Sequence, residues 1–152
     1  ASHLLTEFLN KMEKSVYVGV RGQREKDPEE PSEYSTNAQI AYVNEMGSPI
    51  DNIPPRPFLR PAVTRKKPEI ASIFSKNLKV ALNTLDETHV DKTLEAVGMY
   101  IKQEAQLNIT NSVDMQAPSK KTIDARKRKG FAGTKPLVVT NQLVKSIDYV
   151  VK

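Results

Sequence analysis

The side chains best suited to covalent chemistry are scarce in this 152-residue chain. Cysteine is absent, which excludes thiolate nucleophiles, disulfides and Cys-based zinc sites. The two histidines, His3 and His89, have no Asp or Glu at a familiar ligand spacing, so neither points to a metal centre. Glu45 and Asp51 could be drawn as a carboxylate pair, but their separation across a Gly-Ser-Pro turn matches no specific acid–base arrangement. Glu45 reads better as a helix-end carboxylate that bonds nearby backbone or pairs with Arg56. Neither Val18-Gly-Val-Arg-Gly22 nor Gly130-Phe-Ala-Gly133 has the Lys-Ser/Thr that completes a phosphate loop, and no Gly-x-Ser-x-Gly or His-Glu-x-x-His occurs. The expectation is a protein that is not an enzyme and uses no cofactor or metal.

Charge is the stronger signal. Residues 118–152 carry nine Lys or Arg against Asp124 and Asp148, a net of +7, which leaves residues 1–117 at −2 within a total of +5. Lys120, Lys121, Arg126, Lys127, Arg128 and Lys129 would surround a short helix rather than line one face. That arrangement fits sequence-independent contact with phosphates, or with an acidic partner, better than base readout. No aromatic residues interleave with these cations, so stacking on single strands is not expected. A second basic cluster (Arg56, Arg60, Arg65, Lys66, Lys67) lies in an acid-free stretch, and Glu25, Asp27, Glu29, Glu30 and Glu33 form an acidic one. Segregation of this kind suits charged partners; the alternative is a solvated surface with uneven charge.

The elements that must position these groups follow from periodicity. Leu4, Leu5, Phe8, Leu9 and Met12 predict an amphipathic helix, and Ser15–Arg21 a strand closed by Gly22. Residues 22–37 read as a long mobile polar loop, and residues 38–46 as a short helix or a strand, the helix favoured by composition, ended by Gly47 either way. Five prolines between Ser48 and Pro61 predict a stiff, extended arm in which Phe58 and Leu59 are anchors, in this subunit or the next. Two longer helices follow. The first begins near Pro68 with a stripe of Ile70, Ile73, Phe74, Leu78, Ala81 and Leu82. The second begins near Thr88 with Val90, Leu94, Val97, Ile101 and Ala105 inward. Gly98 within the second suggests close approach of another backbone. Residues 112–135 form a basic loop region holding a short helix stopped by Gly130. Thr140 is a candidate N-cap for a turn through Leu143, and Ser146–Val151 a last strand that could pair with Val16–Val20.

Hydrophobic residues make up 38% and charged residues 27%. With this length, that describes one domain (1–152) with a modest core. No apolar run reaches the ~18–20 residues of a membrane span, and the first residues lack the basic flank and apolar stretch of a signal peptide, so neither membrane insertion nor export is expected.

Several segments together resemble a known family. Asn44-Glu-Met-Gly47, then Ile53-Pro-Pro-Arg-Pro-Phe-Leu-Arg60, then a two-helix stretch, then Lys135-Pro-Leu-Val-Val-Thr-Asn-Gln-Leu-Val-Lys-Ser-Ile-Asp-Tyr-Val-Val151 is similar to the tail-completion and head–tail joining proteins of tailed double-stranded DNA bacteriophages. The family-motif residues are Asn44, Glu45, Gly47, Lys135, Pro136, Leu137, Thr140, Leu143 and Ser146. The chain departs from the family pattern at Met46, which stands for an aromatic, at Pro55, which stands for a small residue, and at Val139-Thr-Asn141, which stands for Asp-Thr-Gly.

The resemblance implies a small α+β fold, an antiparallel sheet with helices on one face and long Pro-rich and charged loops. It implies a virion protein of the neck, assembled in host cytoplasm as a homo-oligomeric ring of six- or twelve-fold symmetry that joins head to tail and lets DNA pass. Its partners would be other neck and tail proteins, with double-stranded DNA held non-specifically in the channel and no membrane. Ile53, Pro54, Pro55, Arg56, Pro57, Phe58, Leu59 and Arg60 would form a subunit-interface arm, while Lys120–Lys129 would face DNA or an acidic neighbour. A tail terminator ring, or a free non-specific nucleic-acid-binding module, are the alternatives.

Overall fold

The longest periodic stretch of the sequence becomes the longest helix, and the other elements are arranged on it. A computed structural model describes residues 2–22, 36–113, 115–130 and 142–152. The loop expected over 22–37, the cap expected at Thr140, and Lys135, Pro136 and Leu137 therefore lie wholly or mostly outside the described residues. In chain order the elements are α1 (Ser2–Lys11), β1 (Val16–Val20), α2 (Asn37–Met46), α3 (Leu59–Thr64), α4 (Lys67–Thr84), α5 (Glu87–Thr110), α6 (Lys120–Arg128), α7 (Gln142–Ser146) and β2 (Ile147–Val151). The fold is α+β, with a two-stranded antiparallel sheet.

Helix α5 is the spine. Asp86 caps it by accepting from the Thr88 N–H at 3.0 Å, and Leu94, Val97, Ile101 and Ala105 are buried along one side as their spacing predicts. Full burial of a side chain such as Val97 or Ile101 contributes roughly 1.5–3 kcal/mol. Helices α3 and α4 and both strands pack against this spine. The α4 stripe is only partly covered. Ile70, Ile73, Phe74 and Ala81 pack inward, whereas Leu78 and Leu82 remain exposed, because α4 packs mainly against α5. Helix α1 is held by buried Phe8 and by Lys11–Glu87 and Lys14–Asp91 ion pairs at 3.4 and 2.6 Å, leaving Leu4, Leu5 and Leu9 exposed.

Strands β1 and β2 pair as the sequence suggested, with Val16 opposite Val151 and Val20 opposite Ile147. Val16, Val18 and Val20 turn toward the core, where Ile147 is fully buried, while Tyr17 and Val150 stay exposed on the opposite face. Helices thus cover one face of the sheet.

Gly98 brings the sheet onto α5, although its partner is a ring rather than backbone. A Cβ at position 98 would fall 2.9 Å from a Val16 methyl and closer still to the Tyr149 ring. Gly98→Ala should therefore destabilise the fold by about 1–3 kcal/mol, as overpacking does. Helix propensity alone would reward the same change by about 1 kcal/mol, so the sign of the melting shift decides between them.

Asp148 ties the sheet to its surroundings. Its carboxylate accepts from Arg21 Nε at 2.7 Å, from the Tyr149 N–H and from Lys102 Nζ at 3.2 Å, and these bonds pull its pKa down to about 2. An unfolded Asp titrates near ~3.9, so the stabilisation is complete above that value and disappears as pH falls from about 4 to about 2. Asp148→Asn should flatten the acid-unfolding profile in that window.

Candidate functional site

The two N-terminal motif segments meet at one corner of the molecule. Thr36 and Gln39 start α2 with a reciprocal capping box, and Gly47 ends it at φ 76°, where a side chain would be strained. A Cβ on Gly47 would also lie 2.9 Å from Pro55 N, so the glycine admits the proline segment as well as turning the chain. Ser48 and Ile53 then exchange backbone hydrogen bonds at 2.9 Å, closing a turn. Beyond it the Arg56 N–H donates to Asn44 O at 2.6 Å, which pins the arm to the end of α2.

The extended arm expected through Pro61 is shorter than its prolines suggest. It includes the Ser48–Ile53 turn and ends at Phe58, because α3 starts at Leu59 with Pro61 in its first turn. Proline is tolerated there, since its missing N–H would have had no partner inside the helix. Glu45 supplies the remaining acceptors. Its Oε2 accepts from the Phe58 and Leu59 N–H groups at 2.8 and 3.0 Å, and its Oε1 from the Arg60 N–H at 2.8 Å. Every amide at the start of α3 is thereby accounted for. Glu45 binds backbone, and no pairing with Arg56 is formed.

Phe58 is buried to 1% exposure inside its own chain, and Leu59 packs against the same cluster, so the two anchors expected of an interface arm serve this subunit's core. Buried Asn108 donates from Nδ2 to Phe58 O at 2.9 Å, which fixes the peptide that follows Phe58. Sequence reading missed Asn108. The signal was a polar residue next to Ile109 on the buried stripe of α5.

The opposite wall comes from Gln116, Ala117, Ser119 and Thr122. Arg56 Nε donates to Gln116 O at 3.0 Å, Pro118 is buried, and Ser119 caps α6 by accepting from the Thr122 N–H at 3.2 Å. The six cations of this segment divide into two groups. Lys120, Lys121, Lys127, Arg128 and Lys129 are exposed, while Arg126 is half-buried and lies close enough to Arg56 for the charges to act on each other. Burial, and then the charge of Arg126, lower the pKa of Arg56. Arg126, Lys127 and Arg128 also fall in the last turn of α6, where cations complement the helix dipole. A cavity of about 580 Å³ separates the two walls, with Pro54, Pro55 and Arg56 facing Ser119 and Thr122.

In the C-terminal block, Leu143 and Ser146 are buried, and Ser146 Oγ donates to Leu143 O at 2.7 Å to close α7 ahead of β2. Among the described residues no three His, Asp or Glu side chains converge as metal ligands, and no helix is long and apolar enough to cross a membrane. The corner sets one guanidinium, Arg56, and one carboxylate, Asp51, on the lining of the same cavity. Compared with family models, curated proteins and solved structures, the chain finds no match.

Proposed function

We propose that this chain is a structural subunit of a tailed-phage neck, forming a ring that joins head to tail and leaves a passage for DNA. The observation that carries the reading is the joint between Glu45 and the start of α3. The Asn44–Gly47 and Ile53–Arg60 motifs behind the resemblance form one mechanical unit, so their pairing in the sequence has a physical cause. The incomplete burial of the subunit agrees with this. Leu4, Tyr17, Leu82 and Val150 are exposed around a modest core, as in a protein that finishes its burial against neighbours. Exposed Lys120, Lys121, Lys127, Arg128 and Lys129 suit weak, screened contacts along a duplex that must be retained and later released.

Electron microscopy and light scattering of the purified chain should reveal closed rings. A chain that stays monomeric and binds duplex DNA with a steep salt dependence would favour the free nucleic-acid-binding module instead. Reversing Lys127, Arg128 and Lys129 to Glu should leave folding and ring mass unchanged while abolishing retention of duplex DNA at low salt. Arg126 is left out of that variant because it is half-buried. Undiminished DNA retention would remove the channel role of α6.

A further inference from the structure

We propose that Ile50, held out on the Ser48–Ile53 turn, seats in an apolar hole between the end of α1 and helices α4 and α5 of a second copy of this chain. The inference rests on the ring reading above and deepens it by naming one contact between neighbouring subunits.

Ile50 is 97% exposed, the most exposed large apolar side chain among the described residues. A single apolar side chain on a surface is ordinary, but this one is kept there by its scaffold. Ser48 and Ile53 exchange two backbone bonds at 2.9 Å, Ser48 Oγ donates to Asp51 Oδ2 at 2.7 Å, and the Asn52 N–H donates to Pro49 O at 3.3 Å. Pro49 fixes the backbone just before the tip, and Pro54 and Pro55 stiffen the return. The tip is held too firmly to fold Ile50 back onto its own chain. A rigid tip also loses little entropy when it docks.

The hole has a volume of about 110 Å³, and Met12, Phe74, Leu78, Ala81, Val90 and Leu94 supply its apolar lining. The polar side chains on that lining are engaged within the chain. Lys14 Nζ is bound by Asp91 at 2.6 Å, Asn77 Nδ2 by Ile73 O at 2.8 Å, and Thr93 Oγ1 by His89 O at 2.7 Å. What remains to be covered is apolar surface. An apolar cavity of ~150 Å³ takes up benzene, and the four-carbon side chain of isoleucine is smaller than that ring. Leu78, still 39% exposed, gains cover from the same contact. Other hollows fit one apolar side chain less well. That on the outer face of the sheet is broader, at about 420 Å³, and bordered by Arg21 and Asp148. That of about 140 Å³ beside Leu85 carries Glu7, Lys11 and Glu87 on its lining.

Position selects a second copy. Within one chain Ile50 is almost wholly exposed and none of residues 48–53 lines the hole. The segment after the turn is bound at Phe58 O by Asn108, near the C-terminal end of α5, whereas Val90 and Leu94 line the hole near the N-terminal end. Leu94 and Asn108 lie about 21 Å apart along that helix. Knob and hole therefore belong to different ends of one subunit, the arrangement of a head-to-tail contact that can close into a ring.

Because the chain has no cysteine, the contact can be read as a disulfide between full-length chains. Ile50→Cys and Leu78→Cys are made separately, mixed, and oxidised with oxidised glutathione. Their mixed dimer should form about tenfold or more faster than one between Ile50→Cys and Val150→Cys, since docking raises the local concentration of the paired thiols. Val150 is exposed on the sheet and reports random collision. A mixed dimer no faster than this control would overturn the proposal. Met12→Cys, which also lines the hole, replaces Leu78→Cys should that variant not fold by circular dichroism.

Ile50→Ser, a change that a turn accepts, should keep the wild-type melting temperature. In sedimentation velocity it should weaken ring assembly about tenfold or more, the loss expected when one isoleucine is left uncovered. Rings of undiminished stability would overturn the contact and leave the ring reading standing, and a lowered melting temperature would overturn it by showing that Ile50 serves its own fold. A wild-type chain that forms no rings sinks the ring reading alone, and the disulfide between copies still decides the contact.

Discussion

Phe58→Ala should lower the free energy of unfolding by about 3–5 kcal/mol, a large part of the ~5–15 kcal/mol that holds a domain of this size together. The side chain is 1% exposed and belongs to the cluster that contains Ile101, Ala105, Ile109 and Leu143. Its backbone cannot shift to fill the space, because Glu45 holds the N–H of the preceding peptide at 2.8 Å and Asn108 the carbonyl of the following one at 2.9 Å. The truncation therefore leaves a cavity rather than a collapsed core, and the higher end of the range applies. Urea unfolding with an unchanged m-value reads the loss. A loss below about 1 kcal/mol would mean that Phe58 is not the centre of the core.

Glu45→Ala should cost about 2–4 kcal/mol, because the Phe58, Leu59 and Arg60 N–H groups lose a charged acceptor together. The damage should concentrate at α3, with faster amide exchange over residues 59–64 and little change at the centre of α5. Glu45→Gln keeps one acceptor oxygen but puts an amide NH2 where the other accepted, so it should fall between wild type and Ala. Combined with Phe58→Ala, the losses should be less than additive, since both act on one peptide. Exchange that rises evenly across the molecule would show that Glu45 does not act as the cap of α3.

Local pattern was enough to identify α1, α4, α5 and both strands, while helix-favouring composition tipped α2 away from a strand. A stripe such as Leu94, Val97, Ile101 and Ala105 can bury itself only on a helix, and Val16–Val20 and Ile147–Val151 can cover one side only as strands. The charge of 118–129 was equally legible, because composition does not depend on folding. Helix α3 was not legible. Its cap, Glu45, lies 13 to 15 residues before the amides it binds, so five prolines read as an extended arm when only the first part is extended. The ring of Tyr149 against Gly98 joins residues 51 positions apart, and no spacing rule carries that distance. The same holds for Arg56 and Arg126. As letters they belonged to two separate basic clusters; the hydrogen bond from Arg56 to Gln116 brings the start of α6 against the proline corner and turns one cation of that helix inward while its neighbours stay in water. Sequence alone determined which segments are helix, strand or charged surface, because backbone and side-chain periodicity are local properties. Tertiary structure decided which carboxylate caps which helix and which cations lie near each other, because those depend on distances that only the packed chain sets.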